Sequence, residues 1–285
     1  MTWHLAGAAG LLLAWPHRHL IHTKTRQTMT ADVAEEETAT RIAGTVQAAG
    51  VRPGGVLLVH SSLRSLGKVP GGAATVIAGL RQALGPAGTL LMPALSYAAV
   101  TRERPRFDLT LTPSNVGIIP ETFRRQPGVL RSLHPTHSVC GSGPVAAALL
   151  CEHGQDATPC GLHSPFHRLP EVNGQILMLG CGLAPNTSFH AIEEVVAPPY
   201  LFGNPLEYEL IDGDGARTVK RYLPHDFAGY AQRYERLGEL LAEPGLRKGS
   251  VLAATVYVIE AAAMWDVALA ALRRDPLAFV ERVAP

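Results

Sequence analysis

Net charge is what this sequence has least of: 25 Lys and Arg stand against 24 Asp and Glu, leaving +1 over 285 residues. A polyanion-binding surface needs a basic excess, so general nucleic-acid binding is not expected, although the count leaves room for one local basic pocket. Cysteine is scarce as well. Cys140, Cys151, Cys160 and Cys181 lie 11, 9 and 21 residues apart, which fits neither a zinc ribbon nor a C-x-x-C redox pair. They read as free, mostly buried thiols of a reducing compartment, and the protein as cytoplasmic. A membrane-spanning run is missing too: the apolar stretch Leu5 to Trp15 is too short to cross a bilayer. Only His4 precedes it, basic residues follow it and no small-residue cleavage site comes next, so it is not a signal peptide either. With 47% apolar and 17% charged residues, the chain has ample material for a large core built from small, Ala/Gly-rich elements.

Two units are expected. Met29 opens Met-Thr-Ala-Asp-Val-Ala-Glu-Glu-Glu, which reads as a domain start, so residues 1–28 are expected to be a loose or mis-assigned extension and 29–285 a single domain. From there the pattern alternates helix and strand. Acidic residues early in Ala31 to Ala49, with Ile42, Val46 and Ala49 at helical spacing, predict an amphipathic helix. Val56 to Val59, Thr89 to Met92 and Ile176 to Leu179 are short apolar runs of the kind that form buried strands. Helices are expected over Ala73 to Leu84, Gly117 to Arg125, Gly143 to Cys151 and Ile259 to Leu272. A long irregular stretch, Ala94 to Pro113, is of a length that compact domains usually reserve for function. Leu206 to Ile211, Asp212-Gly-Asp-Gly215 and Arg217 to Tyr222 predict a hairpin, Gly249 to Tyr257 one strand, and His225-Asp-Phe227 the start of a helix to about Leu241 carrying Tyr230, Tyr234 and Leu237 on one side.

Chemistry-bearing residues gather in three places. The loop His60 to Gly72 leaves the end of a strand, where open α/β sheets bind ligands, and combines Ser61, Ser62, Ser65, Arg64 and Lys68 with glycines ahead of a helix. Helix-start amides with hydroxyls and a cation can cradle a phosphate; an ordinary polar strand-to-helix turn has the same composition. His134, His137, His163 and His167 crowd a second region. Neither H-E-x-x-H nor a paired Cys/His set accompanies them, so no metal is expected. The third place is Gly180 to Glu194, an apolar strand followed by a glycine turn, a Ser/Thr that could cap a helix, then His190 and Glu193. Residues three apart share a helix face, so Glu193 can hold one imidazole nitrogen of His190 and leave the other to take a proton. About one His-x-x-acid pair is expected by chance from 12 His and 24 acids in 285 residues, so a surface histidine beside a solvated glutamate fits the pattern equally.

Together, Val59-His-Ser-Ser-Leu-Arg-Ser-Leu-Gly67, Phe107-Asp108 with Thr112-Pro-Ser-Asn-Val-Gly117, Arg131-Ser-Leu-His-Pro-Thr-His-Ser138 and Asn186-Thr-Ser-Phe-His-Ala-Ile-Glu193 resemble the aminoglycoside 3-N-acetyltransferase, or antibiotic N-acetyltransferase, family. The likeness runs from about Val51 to Leu277 in the family's order. It implies an α/β fold, a three-layer α/β/α sandwich on a central mixed sheet, distinct from the Gcn5 type. It further implies acetyl-CoA as co-substrate and an amine, the 3-amino group of an aminoglycoside, as acceptor, in direct transfer by a monomer or homodimer that engages no membrane. Carried over by motif, Ser61, Ser62, Arg64 and Ser65 would meet the CoA phosphates and pantetheine, while Arg131, Ser132, His134 and Ser138 would line the cofactor channel. His190 would be the general base, Glu193 its orienting partner and Thr187 a donor to the developing oxyanion. For a polycationic acceptor, carboxylates such as Asp108, Glu194 and Asp226 would contribute. The alternatives are an acetyltransferase of a non-antibiotic amine, a non-catalytic CoA-binding protein, a metal-dependent hydrolase using the histidine cluster, and a ping-pong route through Cys181.

Overall fold

The computed structural model describes residues 17–283, with side chains described from Asp32. Residues 1–16 of the expected extension, Leu5 to Trp15 among them, lie outside the described residues. The chain runs α1 (His17–Ala48), β1 (Val56–Ser61), α2 (Ala73–Leu84), β2 (Thr89–Pro93), β3 (Arg106–Asp108), α3 (Ile118–Arg124), β4 (Leu130–Arg131), β5 (Val139–Ser142), α4 (Ala146–Leu150) and α5 (Pro165–Arg168). It continues with β6 (Gln175–Leu179), α6 (Phe189–Val196), β7 (Leu206–Ile211), β8 (Arg217–Tyr222), β9 (Tyr230–Gln232), α7 (Leu237–Leu240), β10 (Leu246–Val251), β11 (Ala254–Glu260), α8 (Ala261–Arg274) and β12 (Val280–Arg282). None of the described helices is long and apolar enough to cross a membrane.

Seven strands form one mixed sheet in the order β10-β11-β6-β1-β2-β5-β4. Its middle is parallel, β1 pairing with both β2 and β6, and its flanks are antiparallel. Side chains alternate across a strand, and here both faces are apolar. Val56, Leu58, Ile176 and Met178 pack with α4, α6 and α8, whereas Leu57, Val59, Leu177 and Leu179 pack with α1, α2 and α3. The result is the expected three-layer sandwich. Strand β1 is joined by β2 on one side and β6 on the other, so the carboxyl ends of β1 and β6 open at the point where the connections diverge, the usual ligand crevice of such sheets.

Several expectations shift. Helix α1 begins upstream of Met29, at His17. The one strand expected over Gly249 to Tyr257 is a hairpin, β10 turning at Leu252 into β11. The helix expected after Phe227 is replaced by β9, which pairs antiparallel with β12, and only short turns of helix follow it. The alternating Tyr230-Ala-Gln232 found a strand partner 50 residues on, which outweighed its helical spacing. The long stretch after β2 contributes β3, which adds to the predicted hairpin β7–β8 as a separate three-stranded sheet.

Where β6 leaves the sheet, Gly180 has φ +74° and a Cβ there would stand 2.9 Å from Ser65 Cβ and 3.1 Å from Ala254 Cβ. Only glycine lets β6 exit this closely against the loop after β1. Gly180→Ala is therefore expected to lower stability by about 1–3 kcal/mol, read as a lowered denaturation midpoint; an unchanged midpoint would contradict the close approach.

Candidate active site

Helix α6 starts after a turn in which the Asn186 carboxamide oxygen accepts the Ser188 N–H at 3.2 Å. The Ser188 hydroxyl makes no cap; it is buried without a partner. The short helix turns His190 and Glu193 onto the same face, and His190 Nδ1 lies 2.9 Å from Glu193 Oε2. Glu193 is fully buried. Its carboxylate accepts from Tyr200 Oη at 2.9 Å on Oε1 and from Tyr234 Oη at 2.8 Å on Oε2. Burial, and then the Glu193 charge, hold both phenols well above their ordinary pKa, so they remain donors. Tyr234 Oη also stands 2.9 Å from His190 Nδ1. With its own proton committed to Glu193, the phenol oxygen can only accept there. Both neighbours of Nδ1 are acceptors, which places the imidazole proton on Nδ1 and the lone pair on Nε2.

His190 lines a cavity of about 350 Å³ whose wall includes Tyr97, His137, Asn186, Thr187, His225, Phe227 and Tyr234. A narrower cleft of about 110 Å³, at the carboxyl ends of β1 and β2, is lined by His60, Ser61, Pro93, Cys181 and Thr187. Thr187, Leu95, Val116 and Pro185 belong to both walls, so the two spaces meet beside the histidine. A larger hollow of about 850 Å³ near Arg124, Arg125 and Cys151 shares no residue with them. We place the site at the smaller pair, because the converging titratable groups are there.

The motif residues divide between surface and interior. Ser61 turns a buried hydroxyl without a partner toward the narrow cleft, as His60 does with Nε2. Ser62 and Ser65 hydroxyls bond to each other at 3.0 Å, and Arg64 and Lys68 are exposed. At the start of α2 the Glu35 carboxylate of α1 lies over Gly71, whereas nothing crowds the N-cap residue Gly72. Arg131 donates to the carbonyls of Leu109, Thr112 and Ala94 and to the Ser138 hydroxyl, all within 3.1 Å. Ser132 bonds His153 Nδ1 at 2.9 Å, and His134 Nδ1 accepts the backbone N–H groups of Thr136 and His137. Ser132, His134 and Ser138 are buried and Arg131 is half-buried, and the set ties together the loops around β3 and β5.

The carboxylates divide similarly. Asp108 accepts the Thr110 and Leu111 amides, a local turn. Glu194 is buried beneath His225, whose Nε2 lies 2.8 Å from Oε1, and it also accepts the Thr158 hydroxyl and the Cys160 amide. Burial, opposed by those two hydrogen bonds, pushes Glu194 up to about 7. Asp226 alone of the three is exposed. His163 and His167 are elsewhere, paired with Asp156 and packed on Trp265. Tyr200, Tyr234 and His225 belong to the site although the sequence marked none of them for it; an unusual density of Tyr and His between residues 225 and 234 was the one signal. Cys181 lines the cleft, but burial pushes its thiol up to about 12.

Known proteins bear directly on this arrangement. The family model described as aminoglycoside 3-N-acetyltransferase matches residues 58–273. The chain belongs to the aminoglycoside 3-N-acetyltransferase family. It is 37% identical over 237 residues to aminoglycoside N(3)-acetyltransferase IV of Salmonella sp., covering 81% of this chain and 85% of that protein. Its fold matches that of aminoglycoside acetyltransferase AAC(3)-IVa solved with gentamicin at TM-score 0.72 and 33% identity, covering 86% of this chain and 90% of that one. AAC-IIIb, solved as a binary complex with CoASH, matches at TM-score 0.72 and 27% identity over 82% and 96% of the two chains. Family membership makes the chain an acyltransferase, with its His-x-x-Glu pair at the junction of the two cavities.

Burial also sets the acid response. His60 is lowered to about 3 and His153 to about 4, and His134, His137 and His225 fall well below 6.5, in each case first by burial. The folded state keeps them neutral while the unfolded chain takes protons below pH 6.5, so their contribution is complete above 6.5 and is lost as pH falls toward 3–4. Glu194 acts in the opposite sense, its contribution being present below pH 4.5 and lost as pH rises through 7. The expected outcome is a thermal midpoint that falls steadily from pH 6.5 to 4, followed by circular dichroism, with a shallower fall in His153→Gln; a flat profile would contradict the buried neutral histidines.

Proposed function

We propose that this chain transfers the acetyl group of acetyl-CoA directly to the 3-amino group of an aminoglycoside, with His190 as general base. The observation that carries the reading is the Nδ1 proton of His190, fixed by Glu193 and Tyr234, which leaves the Nε2 lone pair beside the junction of the two cavities. An amine that is ammonium at neutral pH must lose a proton before it attacks, and a neutral imidazole in reach takes it. As Nε2 becomes protonated, the buried Glu193 carboxylate stabilises the imidazolium. Acetyl-CoA, when bound, supplies the activated acyl group. The narrow cleft suits an extended pantetheine arm, the unpartnered Ser61 hydroxyl offers it a polar contact, and Arg64 with Ser62 and Ser65 would serve the phosphates. Thr187, on the wall common to both cavities, would donate to the oxygen that gains charge during transfer. Arg131, Ser132, His134 and Ser138 would act at one remove, by holding the loops that shape the cleft.

Direct transfer is favoured over a Cys181 acyl intermediate because a thiol at about 12 supplies almost no thiolate near neutrality. His190→Ala is expected to lower acetylation of gentamicin by about 10²–10⁴-fold, the usual worth of a general base, with CoA binding retained, whereas Cys181→Ser keeps its turnover. Wild-type rates in the first variant, or loss of activity with an acetylated cysteine trapped in the wild type, would remove this mechanism.

The cavity wall itself carries no carboxylate, so attraction for a polycation falls to exposed groups such as Asp226, next in sequence to the wall residues His225 and Phe227. Asp226→Asn is expected to raise KM for gentamicin by about twofold to fivefold, the range of one exposed ion pair, at nearly constant kcat. An unchanged KM would assign that role to other carboxylates.

A further inference from the structure

Three imidazoles from separate parts of the chain, His137, His190 and His225, each present one ring nitrogen, and these three atoms lie within 4.8 Å of one another. We propose that they form a binding site for a divalent late-transition-metal ion of the zinc type. Three features point there. His225 Nε2 faces Glu194 Oε1 at 2.8 Å, and its Nδ1 is buried with no hydrogen-bond partner among the described residues. With Nε2 held by Glu194, the orphaned Nδ1 is the nitrogen left to meet an ion, and a buried polar atom is costly to leave unmet. His190 repeats the arrangement, Glu193 holding Nδ1 and leaving Nε2 as the free donor. A carboxylate behind a ligating imidazole is the usual support of a metal-bound histidine, and here two consecutive residues of α6 supply it to two different rings.

The third ring, His137, lies with its centroid 6.0 Å from that of His190 and 5.4 Å from that of His225, and His190 and His225 are 4.9 Å apart. Zinc–imidazole bonds of about 2.0–2.1 Å put ligand nitrogens roughly 3.4 Å apart in a tetrahedron, so a sub-ångström inward rotation of each ring closes the set. The adjoining cavity of about 350 Å³ leaves the fourth position to water, as in three-histidine zinc sites. Imidazole is the ligand that zinc, copper, nickel and iron accept in common. The consequence rests on the functional reading above: an ion on the Nε2 lone pair occupies the base, so the metal competes with the amine and not with acetyl-CoA.

The test uses the full chain freed of metal by a chelator and titrated with Co2+ alone, then with Zn2+. One equivalent of Co2+ should give the visible absorption of a low-symmetry nitrogen-ligated ion, and Zn2+ should bleach it. His225→Ala and His137→Ala should each weaken Zn2+ binding by at least about tenfold, and Glu194→Gln, which keeps the shape and removes only the carboxylate, by about 10–100-fold. Wild-type circular dichroism separates these losses from misfolding, and the glutamine variant stands in should either alanine variant fail to fold. No absorption change at millimolar Co2+, or an affinity that survives all three substitutions, overturns the site. Binding of Zn2+ without any rise in KM for gentamicin upholds the site and counts instead against His190 as the base.

Discussion

The Glu193 carboxylate is the constraint on which the active region depends. It has no exposed surface and meets its hydrogen-bonding needs through Tyr200, Tyr234 and His190. A carboxylate taken out of water and deprived of a partner costs several kcal/mol, so the chain from Pro198 to Tyr234 has to return to α6 in one particular way. That return brings His225 and Phe227 over His190, and the aromatic wall of the cavity follows from it. Phe189, stacked on Tyr234 with centroids 4.5 Å apart, fixes the second phenol from below.

The mixed sheet supplies the other half of the arrangement. Parallel pairing of β1 with β2 and β6 sends three strand ends to the same edge, and Gly180 lets β6 leave it close to Ser65. The narrow cleft and the wider cavity therefore meet at Thr187 instead of lying on opposite faces. Arg131, which also lines the larger hollow, and the buried Ser132–His153 pair hold the loops beside this cleft through their hydrogen bonds.

Consecutive acids on α6 illustrate how burial divides one sequence feature into two roles. Glu193 points back to His190, three residues earlier, while Glu194, about 100° further round the helix, reaches His225 from the far side. The first carboxylate orients the His190 ring. The second, pushed up to about 7, sits behind a histidine whose remaining nitrogen is unsatisfied. A site with two carboxylate-backed imidazoles and a third within reach has the donor set for a metal as well as for a proton.

What the sequence determined was local. Apolar runs of four or five residues between glycine turns fixed β1, β2 and β6, helical spacing fixed α2 and most of α8, and the interval between His190 and Glu193 fixed their common face. The ordered motifs added the family and, with it, the three layers. What only tertiary structure decided was which distant groups close on that face. Tyr230 looked like a helix residue because its spacing from Tyr234 and Leu237 is helical; the pairing of β9 with β12, nearly 50 residues apart, overrode that preference there, and only Tyr234 and Leu237 fall in short helical turns. Likewise His137 and His225 carry no mark of meeting His190, and the polar residues of the Arg131 to Ser138 motif carry none of being interior. Short-range periodicity encodes one element at a time, whereas the protonation of an imidazole depends on every acceptor within about 3 Å, and those come from wherever the fold places them.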